Sequence, residues 1–212
     1  MFLELFTRVL ISLFSVVNPL GAVPVFLSMT PHYTANERKK TAFNTSIYFV
    51  LILMAFFLGG SYILCFFGIT INSMRIAGGI VIFSSGYGLL TGNFAQTRAV
   101  DEKVEQEALE KEDISFSPMA MPLLSGPGSI SLLIGFYQQH TSWEERSIIA
   151  LVIVLNGLIV YWILRLSPNL FKLLGEAGLR AISRIMGFLV MAIAVQSVIF
   201  GIVELIKNYP VK

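Results

Sequence analysis

The stretch Asn18-Pro19-Leu20-Gly21-Ala22-Val23-Pro24 lies inside a long uncharged segment and has a counterpart later in the chain. The counterpart is Met121-Pro122-Leu123-Leu124-Ser125-Gly126-Pro127-Gly128-Ser129, and both copies contain the pattern Pro-Leu-x-x-x-Pro. A proline inside a helix removes a backbone hydrogen bond and clashes with the preceding turn. We therefore expect a helix to be broken at each copy, by Pro19 and Pro24 in the first and by Pro122 and Pro127 in the second.

The composition around these stretches is that of a membrane protein. Of the 212 residues, 55% are hydrophobic and only 13% are charged, whereas a soluble domain is about 25% charged. The chain therefore lacks the polar residues needed to cover a water-facing surface. The net charge of +2 is too small to suggest a nucleic-acid partner, and basic residues interleaved with aromatics are not found in the sequence.

Charged residues divide the chain into six uncharged stretches. Each can supply most of a membrane-crossing helix, for which about 20 apolar residues suffice. They cover residues 9–36, 41–74, 76–97, 114–143, 147–164 and 185–203. The sequence therefore predicts an all-α membrane protein with six transmembrane helices.

Shorter motifs repeat in the same order on both sides of a polar linker. Glu37-Arg38 answers to Glu145-Arg146, and Arg75-Ile76-Ala77-Gly78 answers to Arg184-Ile185-Met186-Gly187. We predict repeat 1 over residues 1–95, a cytoplasmic linker over 96–113 and repeat 2 over 114–212. Three helices per repeat is an odd number, so the second repeat should enter the membrane from the opposite side. The first helix of each inverted repeat would be broken at mid-membrane.

Lys and Arg residues are unevenly distributed between the two sides of this predicted topology. The side that carries both termini has fewer of them than the opposite side. Because cytoplasmic loops are enriched in Lys and Arg, we expect both termini to lie outside, in the periplasm of a bacterial cell.

The two breaks suggest a binding site for a small zwitterion. A half-helix that begins at mid-membrane presents free N–H groups, and one that ends there presents free carbonyls. Facing breaks could therefore bind both the carboxylate and the ammonium of an amino acid, and the glycines favour a small one. The candidate binding residues are Asn18, Gly21, Ser125, Gly126, Gly128 and Ser129.

Other interpretations of the polar residues stay open. A single Pro–Gly kink in a membrane helix is more often structural than functional. Gln196, Ser197 and Asn156 could line a cavity or bond between helices. No metal site or other cofactor is expected, and the coupling ion stays open between Na⁺ and H⁺. Without a nucleophile–base pair or a metal-ligand spacing in the sequence, we do not expect an enzyme.

Four motifs in order resemble the MarC family of bacterial inner-membrane proteins, also called the neutral amino acid transporter family. They are residues 18–26, 68–79, 122–130 and 183–187. The resemblance covers essentially the whole chain and implies six helices, an inner-membrane location and, for some members, transport of glycine, alanine and similar amino acids. Relatives often have Ala after the Gly-Pro-Gly, where this chain has Ser129.

The sequence thus predicts a secondary transporter of small neutral amino acids, with alternating access at a site between the two broken helices. Its expected partners are the lipid bilayer and a small neutral amino acid, while oligomerisation is left open. Two alternatives remain, an exporter of another small solute and a non-transporting scaffold or regulatory protein.

Overall fold

A computed structural model describes residues 2–93 and 113–207, together with Val104 and Glu107, and this part of the chain contains helices and connecting turns but no strand. The helical elements, numbered here in chain order, are α1 (Phe2–Val17), α2 (Ala22–Met29), α3 (Ala35–Phe66), α4 (Ile71–Thr91), α5 (Ser115–Leu124), α6 (Pro127–Gln139), α7 (Trp143–Arg165) and α8 (Ser167–Lys207). Helices α3, α4, α7 and α8 are each long and apolar enough to cross a membrane. The bent pairs α1–α2 and α5–α6 add up to two further spans.

The predicted helical, membrane-spanning character is confirmed, but several boundaries differ from the expected ones. The first helix begins at Phe2 rather than near Val9, and its two charged residues, Glu4 and Arg8, pair with each other at 3.2 Å. The last helix begins at Ser167 and is interrupted at Gly175, whose φ of 65° suits a residue without a Cβ. Most of the predicted linker over 96–113 lies outside the described residues.

The outside of the molecule is apolar, as expected for a surface in contact with lipid. Large hydrophobic side chains are more than half exposed on α3, α4 and α8, for example Leu51, Ile80 and Phe188. The interior is also apolar and includes Phe26, Phe49 and Phe57, which are at most 1% exposed. A soluble protein would cover such a surface with charged residues, so this distribution fits an integral membrane protein.

Helices α4 and α8 pack backbone to backbone in antiparallel directions. A Cβ added to Gly86 would lie 2.9 Å from the Gly187 carbonyl oxygen, and one added to Gly201 would lie 3.0 Å from that of Asn72. Between these points, a Cβ at Gly79 would lie 3.0 Å from the Ala194 carbonyl oxygen. Small residues permit such close approach in membrane helices.

The turns after α2 and α6 are built alike. Thr34 caps α3 by accepting from the amide of Glu37, and Ser142 caps α7 by accepting from that of Glu145. The residue after each glutamate is an arginine, and its side chain bonds back to the C-terminal end of the preceding helix. Arg38 Nη2 donates to the Thr30 carbonyl oxygen at 2.7 Å, and Arg146 Nε donates to the His140 carbonyl oxygen at 3.0 Å.

Candidate functional site

The first span is broken between α1 and α2. Its two helices meet at 46°, with Asn18 to Gly21 between them. Asn18 has a φ of 47°, in the left-handed region that asparagine tolerates better than most residues. Its amide still donates to the Phe14 carbonyl oxygen at 2.8 Å, so the left-handed backbone begins where α1 ends. Pro19 lies in the turn, and Pro24 is the third residue of α2, where a helix needs no N–H donor.

The second span is broken between α5 and α6, which meet at 64°. Segment α5 is irregular: Ser117 and Met121 have extended backbones inside it, and each precedes a proline with a cis peptide bond. A residue before proline is disfavoured in the α region. The irregularity therefore starts at Pro118, earlier than the break predicted at Pro122. Pro127 is the first residue of α6, the position at which proline is best accommodated.

The two breaks lie next to each other inside the protein. A Cβ added to Gly128, just after the second break, would lie 3.7 Å from Val16 Cγ1, just before the first. The same Cβ would lie 3.0 Å from Ile82 Cγ1 of α4. Asn18 and Ser125 are both 0% exposed. The gaps therefore face each other and the protein interior rather than lipid.

Buried polar atoms without a partner mark both breaks. Among the described residues, neither Asn18 Oδ1 nor Nδ2 forms a hydrogen bond, and Ser125 Oγ also lacks a partner. Leaving a buried donor or acceptor unsatisfied costs about 1–3 kcal/mol, and such groups in native proteins call for an explanation. A polar ligand between the breaks would supply the missing bonds.

The remaining predicted residues lie around these atoms. Gly21 precedes the first residue of α2, and Gly126 precedes that of α6. Gly128 and Ser129 are the second and third residues of α6. The backbone N–H groups at these positions have no partner within the helix. The Ser129 hydroxyl is already satisfied, because it donates to the Gly126 carbonyl oxygen at 2.9 Å.

Ser183 of α8 is a site residue that the sequence analysis missed. A Cβ added to Gly21 would meet Asn18 Nδ2 and would lie 3.1 Å from Ser183 Oγ. Ser183 is 7% exposed. In the sequence, Ser183 begins the last of the four family motifs, 183–187. Its sequence neighbours do not predict that it lies beside Asn18 and Gly21, which are far away along the chain.

A cavity of about 640 Å³ is lined by residues of the helices that flank the breaks, but by none of the break residues themselves. It lies between α1, α4, α6 and α8, with Arg8, His140 and Glu204 near its mouth and Ser12 and Ser131 further along their helices. Gln196 and Ser197 line it, and Ser197 Oγ also donates to the Arg75 carbonyl oxygen of α4 at 3.3 Å, so both interpretations apply to this serine. Asn156 instead donates to the Val152 carbonyl oxygen of its own helix at 3.0 Å.

Arg75 separates two of the predicted uncharged stretches, 41–74 and 76–97, but the structure places it inside a helix. Because Thr70 caps α4 by accepting from the Ser73 amide, the helix begins at Ile71 and includes Arg75 in its second turn. The half-buried side chain lines the 640 Å³ cavity and a second one of about 620 Å³. Glu204 also lines both.

No cluster of three or more His, Cys, Asp or Glu side chains in the described part of the chain could hold a metal ion. His140 Nδ1 lies 3.1 Å from Glu145 Oε1. The single cysteine, Cys65, is exposed on α3.

Comparison with known proteins gives one consistent family. A family model described as "MarC family integral membrane protein" matches residues 3–206. A UPF0056 membrane protein of Buchnera aphidicola subsp. Acyrthosiphon pisum is 37% identical, covering 94% of this chain and 93% of that protein. A UPF0056 membrane protein of Methanocaldococcus jannaschii is also 37% identical, over 94% and 97%. The UPF0056 inner membrane protein MarC of Escherichia coli O1:K1 is 34% identical, over 98% and 99%. No solved structure matches this chain.

Proposed function

The chain belongs to the MarC family of integral membrane proteins, and from this premise we propose that it is a secondary transporter of small neutral amino acids. The substrates would be of the glycine, alanine and serine class, carried across the cell inner membrane by alternating access. The observation that carries the proposal is the pair of adjacent, buried helix breaks with unpartnered polar atoms on Asn18 and Ser125.

The chemistry of the breaks supports a zwitterionic ligand. The amide ends of α6 would bind a carboxylate, because the N-terminal end of a helix carries free N–H groups and partial positive charge. Asn18 Oδ1, Ser125 Oγ and the carbonyls that end α1 would bind an ammonium group. The space at the breaks is small, because a Cβ at Gly21 would meet Asn18 Nδ2 and one at Gly128 would lie 3.0 Å from Ile82 Cγ1. A ligand with a small side chain, such as glycine, alanine or serine, is therefore favoured.

The packing of corresponding helices supports the inverted repeat on which alternating access depends. If the halves are inverted, their third helices, α4 and α8, should run antiparallel where they meet, and Gly79, Gly86 and Gly201 mark such a contact. The second helices behave likewise. Phe43 packs edge-on against Tyr161, while a Cβ at Gly157 would lie 3.6 Å from the Ser46 carbonyl oxygen. Matched broken helices in inverted halves commonly form the substrate site of transporters.

The direct test is flux through the purified protein in proteoliposomes. Labelled glycine, alanine and serine would be offered separately, with an imposed Na⁺ gradient, an imposed pH gradient or neither. We expect flux of at least one of them and dependence on one of the two gradients. Absence of flux for every amino acid in both directions would contradict the proposal and favour a scaffold or regulatory role.

A matched pair of glycine variants ties the flux to the breaks. Gly21→Ala places a Cβ against Asn18 Nδ2, whereas a Cβ at Gly59 of α3 meets nothing within 4 Å. Because a displacement of about 1 Å in a positioning group can cost roughly 100-fold in rate, we expect Gly21→Ala to reduce flux strongly. Gly59→Ala should transport like the unsubstituted protein. Equal flux in the two variants would show that the substrate site does not lie at the first break.

A further inference from the structure

The wall of the 640 Å³ cavity contains an arginine to which the sequence gave no role. Arg75 lies in the second turn of α4, and its half-buried side chain lines the cavities on both sides of it. Its guanidinium lies over the ring of Phe200, 4.9 Å from the centroid, and Nε forms no hydrogen bond among the described residues. An arginine with an unpaired Nε can use its fork of N–H groups to bind another acceptor.

The other charged groups that line this cavity have partners close to them. Arg8 Nη2 lies 3.2 Å from Glu4 Oε1, and His140 Nδ1 lies 3.1 Å from Glu145 Oε1. Glu204 Oε1 lies 3.6 Å from Lys207 Nζ and also acts electrostatically on Arg75. Arg75 is therefore the cavity-lining cation best placed to receive a carboxylate from outside the chain, and Glu204 gives the same wall a negative charge.

The helix opposite Arg75 leaves space for such a ligand. Gly135 of α6 faces Arg75 without a side chain between them, since a Cβ added there would lie 4.0 Å from Arg75 Nε. The cavity then follows α6 along Leu132 and Ser131, which lies two residues from Ser129 at the break. A ligand held at Arg75 would thus lie in a cavity that approaches the second break along α6.

We propose that Arg75 is the carboxylate-binding residue of an entrance subsite that receives the amino acid before it reaches the helix breaks. Arg pairs with a carboxylate through two parallel N–H···O bonds. The negative charge of Glu204 favours a ligand that also carries an ammonium group over a simple anion. This inference rests on the proposed function for the identity of the ligand, but its subsite is distinct from the one formed by Asn18 and Ser125.

The test compares binding of three probes to the purified full-length protein. Glycine carries both charges, acetate only the carboxylate and methylamine only the ammonium. We expect glycine to bind most tightly, acetate more weakly and methylamine least. Arg75→Gln should weaken glycine binding about 10- to 100-fold, because a hydrogen-bonded charge pair contributes roughly 1.5–3 kcal/mol. Arg75→Lys, which keeps the charge but not the fork, should fall between the two.

A surface arginine provides the control for loss of charge. Arg180 of α8 is exposed and pairs with Glu176 of its own helix. Arg180→Gln should bind glycine as the unsubstituted protein does, and thermal unfolding of every variant checks that it is folded. If Arg75→Gln does not fold, the comparison uses Arg75→Lys. Unchanged glycine affinity in a folded Arg75 variant would overturn the inference.

Flux measured beside binding separates this inference from the proposed function. If amino acids are transported and Arg75→Gln leaves the KM unchanged, the entrance subsite is wrong and the function stands. If no amino acid is transported, yet glycine or acetate binds only when Arg75 is present, the function is wrong and the subsite stands. If the unsubstituted protein neither binds nor transports glycine, both are wrong.

Discussion

At the scale of single residues, Asn18 explains why the first span breaks where it does. It adopts a left-handed backbone at φ 47° and is completely buried, with both side-chain polar atoms lacking partners in the described structure. Asparagine enters the left-handed region more readily than other non-glycine residues. The backbone of Asn18 therefore ends α1, while its side-chain amide remains available to a ligand. These two contributions can be separated by mutation.

Asn18→Gly keeps the left-handed backbone and removes the amide, whereas Asn18→Ala removes both. We expect both variants to lose substrate binding. Both variants lose the same buried, unpartnered amide, so the backbone alone separates their stabilities. Asn18→Ala should be less stable than Asn18→Gly by roughly 1 kcal/mol, because an L-residue with a Cβ is disfavoured in this region. Thermal unfolding and glycine binding on the same preparations measure the two effects. Normal binding in Asn18→Gly would show that the amide does not contact the ligand.

Ser125→Ala should have opposite effects on folding and on function. Its hydroxyl is buried without a partner, so its removal relieves a desolvation cost, and we expect stability unchanged or raised by about 1 kcal/mol. Substrate affinity should fall. Ser167, at the junction of α7 and α8, carries another buried hydroxyl without a partner and is the control. Ser167→Ala should show a similar stability change with unchanged affinity, and a loss of affinity in it would contradict this assignment.

The residues that the sequence analysis missed share a physical reason. Arg75 became a boundary between two predicted spans because charged residues were used to divide the chain, but the Thr70 cap starts α4 before it. Ser183 meets Gly21 only because α8 crosses the first break. Dividing the chain at charged residues misplaces a half-buried arginine that lines a cavity inside a span. Local sequence patterns do not predict contacts between residues far apart in the chain.

At the scale of elements, the short helices α2 and α6 are each held by an arginine of the next helix. Arg38 bonds the carbonyl end of α2 through Thr30, and Arg146 bonds that of α6 through His140 and Tyr137. A helix of eight residues such as α2 is too short to be stable alone. Favourable charge at its C-terminal end and the satisfied carbonyl therefore help to maintain it.

Arg38→Ala should destabilise the protein by about 1–3 kcal/mol, since it removes hydrogen bonds to a charged donor at a part-buried helix end. Lys39 is its exposed neighbour and the matched control, for which an alanine substitution should change stability by less than about 0.5 kcal/mol. Chemical or thermal unfolding in detergent provides the measurement. Equal stability of the two variants would show that α2 does not depend on this contact.

The breaks could be predicted from sequence, but their shapes could not. Prolines at 19, 24, 122 and 127 identify both interruptions, because proline cannot continue a helix without losing a bond. The irregular backbone of α5, however, begins at Ser117-Pro118, and the Pro-Leu-x-x-x-Pro repeat does not extend to it. The first half lacks an equivalent, so a pattern defined by similarity between halves overlooks it.

At the scale of the whole molecule, the 640 Å³ cavity and the breaks are separate in this conformation. The cavity is lined by Arg8 from the first helix and Glu204 from the last, whereas Asn18 and Ser125 at the breaks are 0% exposed. Both termini are predicted to be outside the cell, so the cavity would open outward while the breaks stay closed. The sequence predicted which residues share a side, while the depth of the cavity depends on packing among four helices.

Cysteine accessibility tests this conformation and its orientation. In a Cys65→Ser background, Gln196→Cys places a thiol in the cavity, and Ala194→Cys, two residues away on the same helix, places one at a 0% exposed position. A membrane-impermeant thiol reagent added to intact cells should modify the first and not the second, and substrate should slow the reaction. Modification of Gln196→Cys only in inside-out vesicles would place the termini in the cytoplasm.

The glycine-mediated contact of α4 with α8 limits how this protein can move. Main-chain atoms touch near Gly86, near Gly79 and again near Gly201, so tilting one helix away from the other would open gaps along their common length. The pair should therefore act as a fixed frame shared by both halves. The interrupted spans and the helices bonded to them would then move relative to this frame, and their movement would expose the pocket to the opposite membrane face.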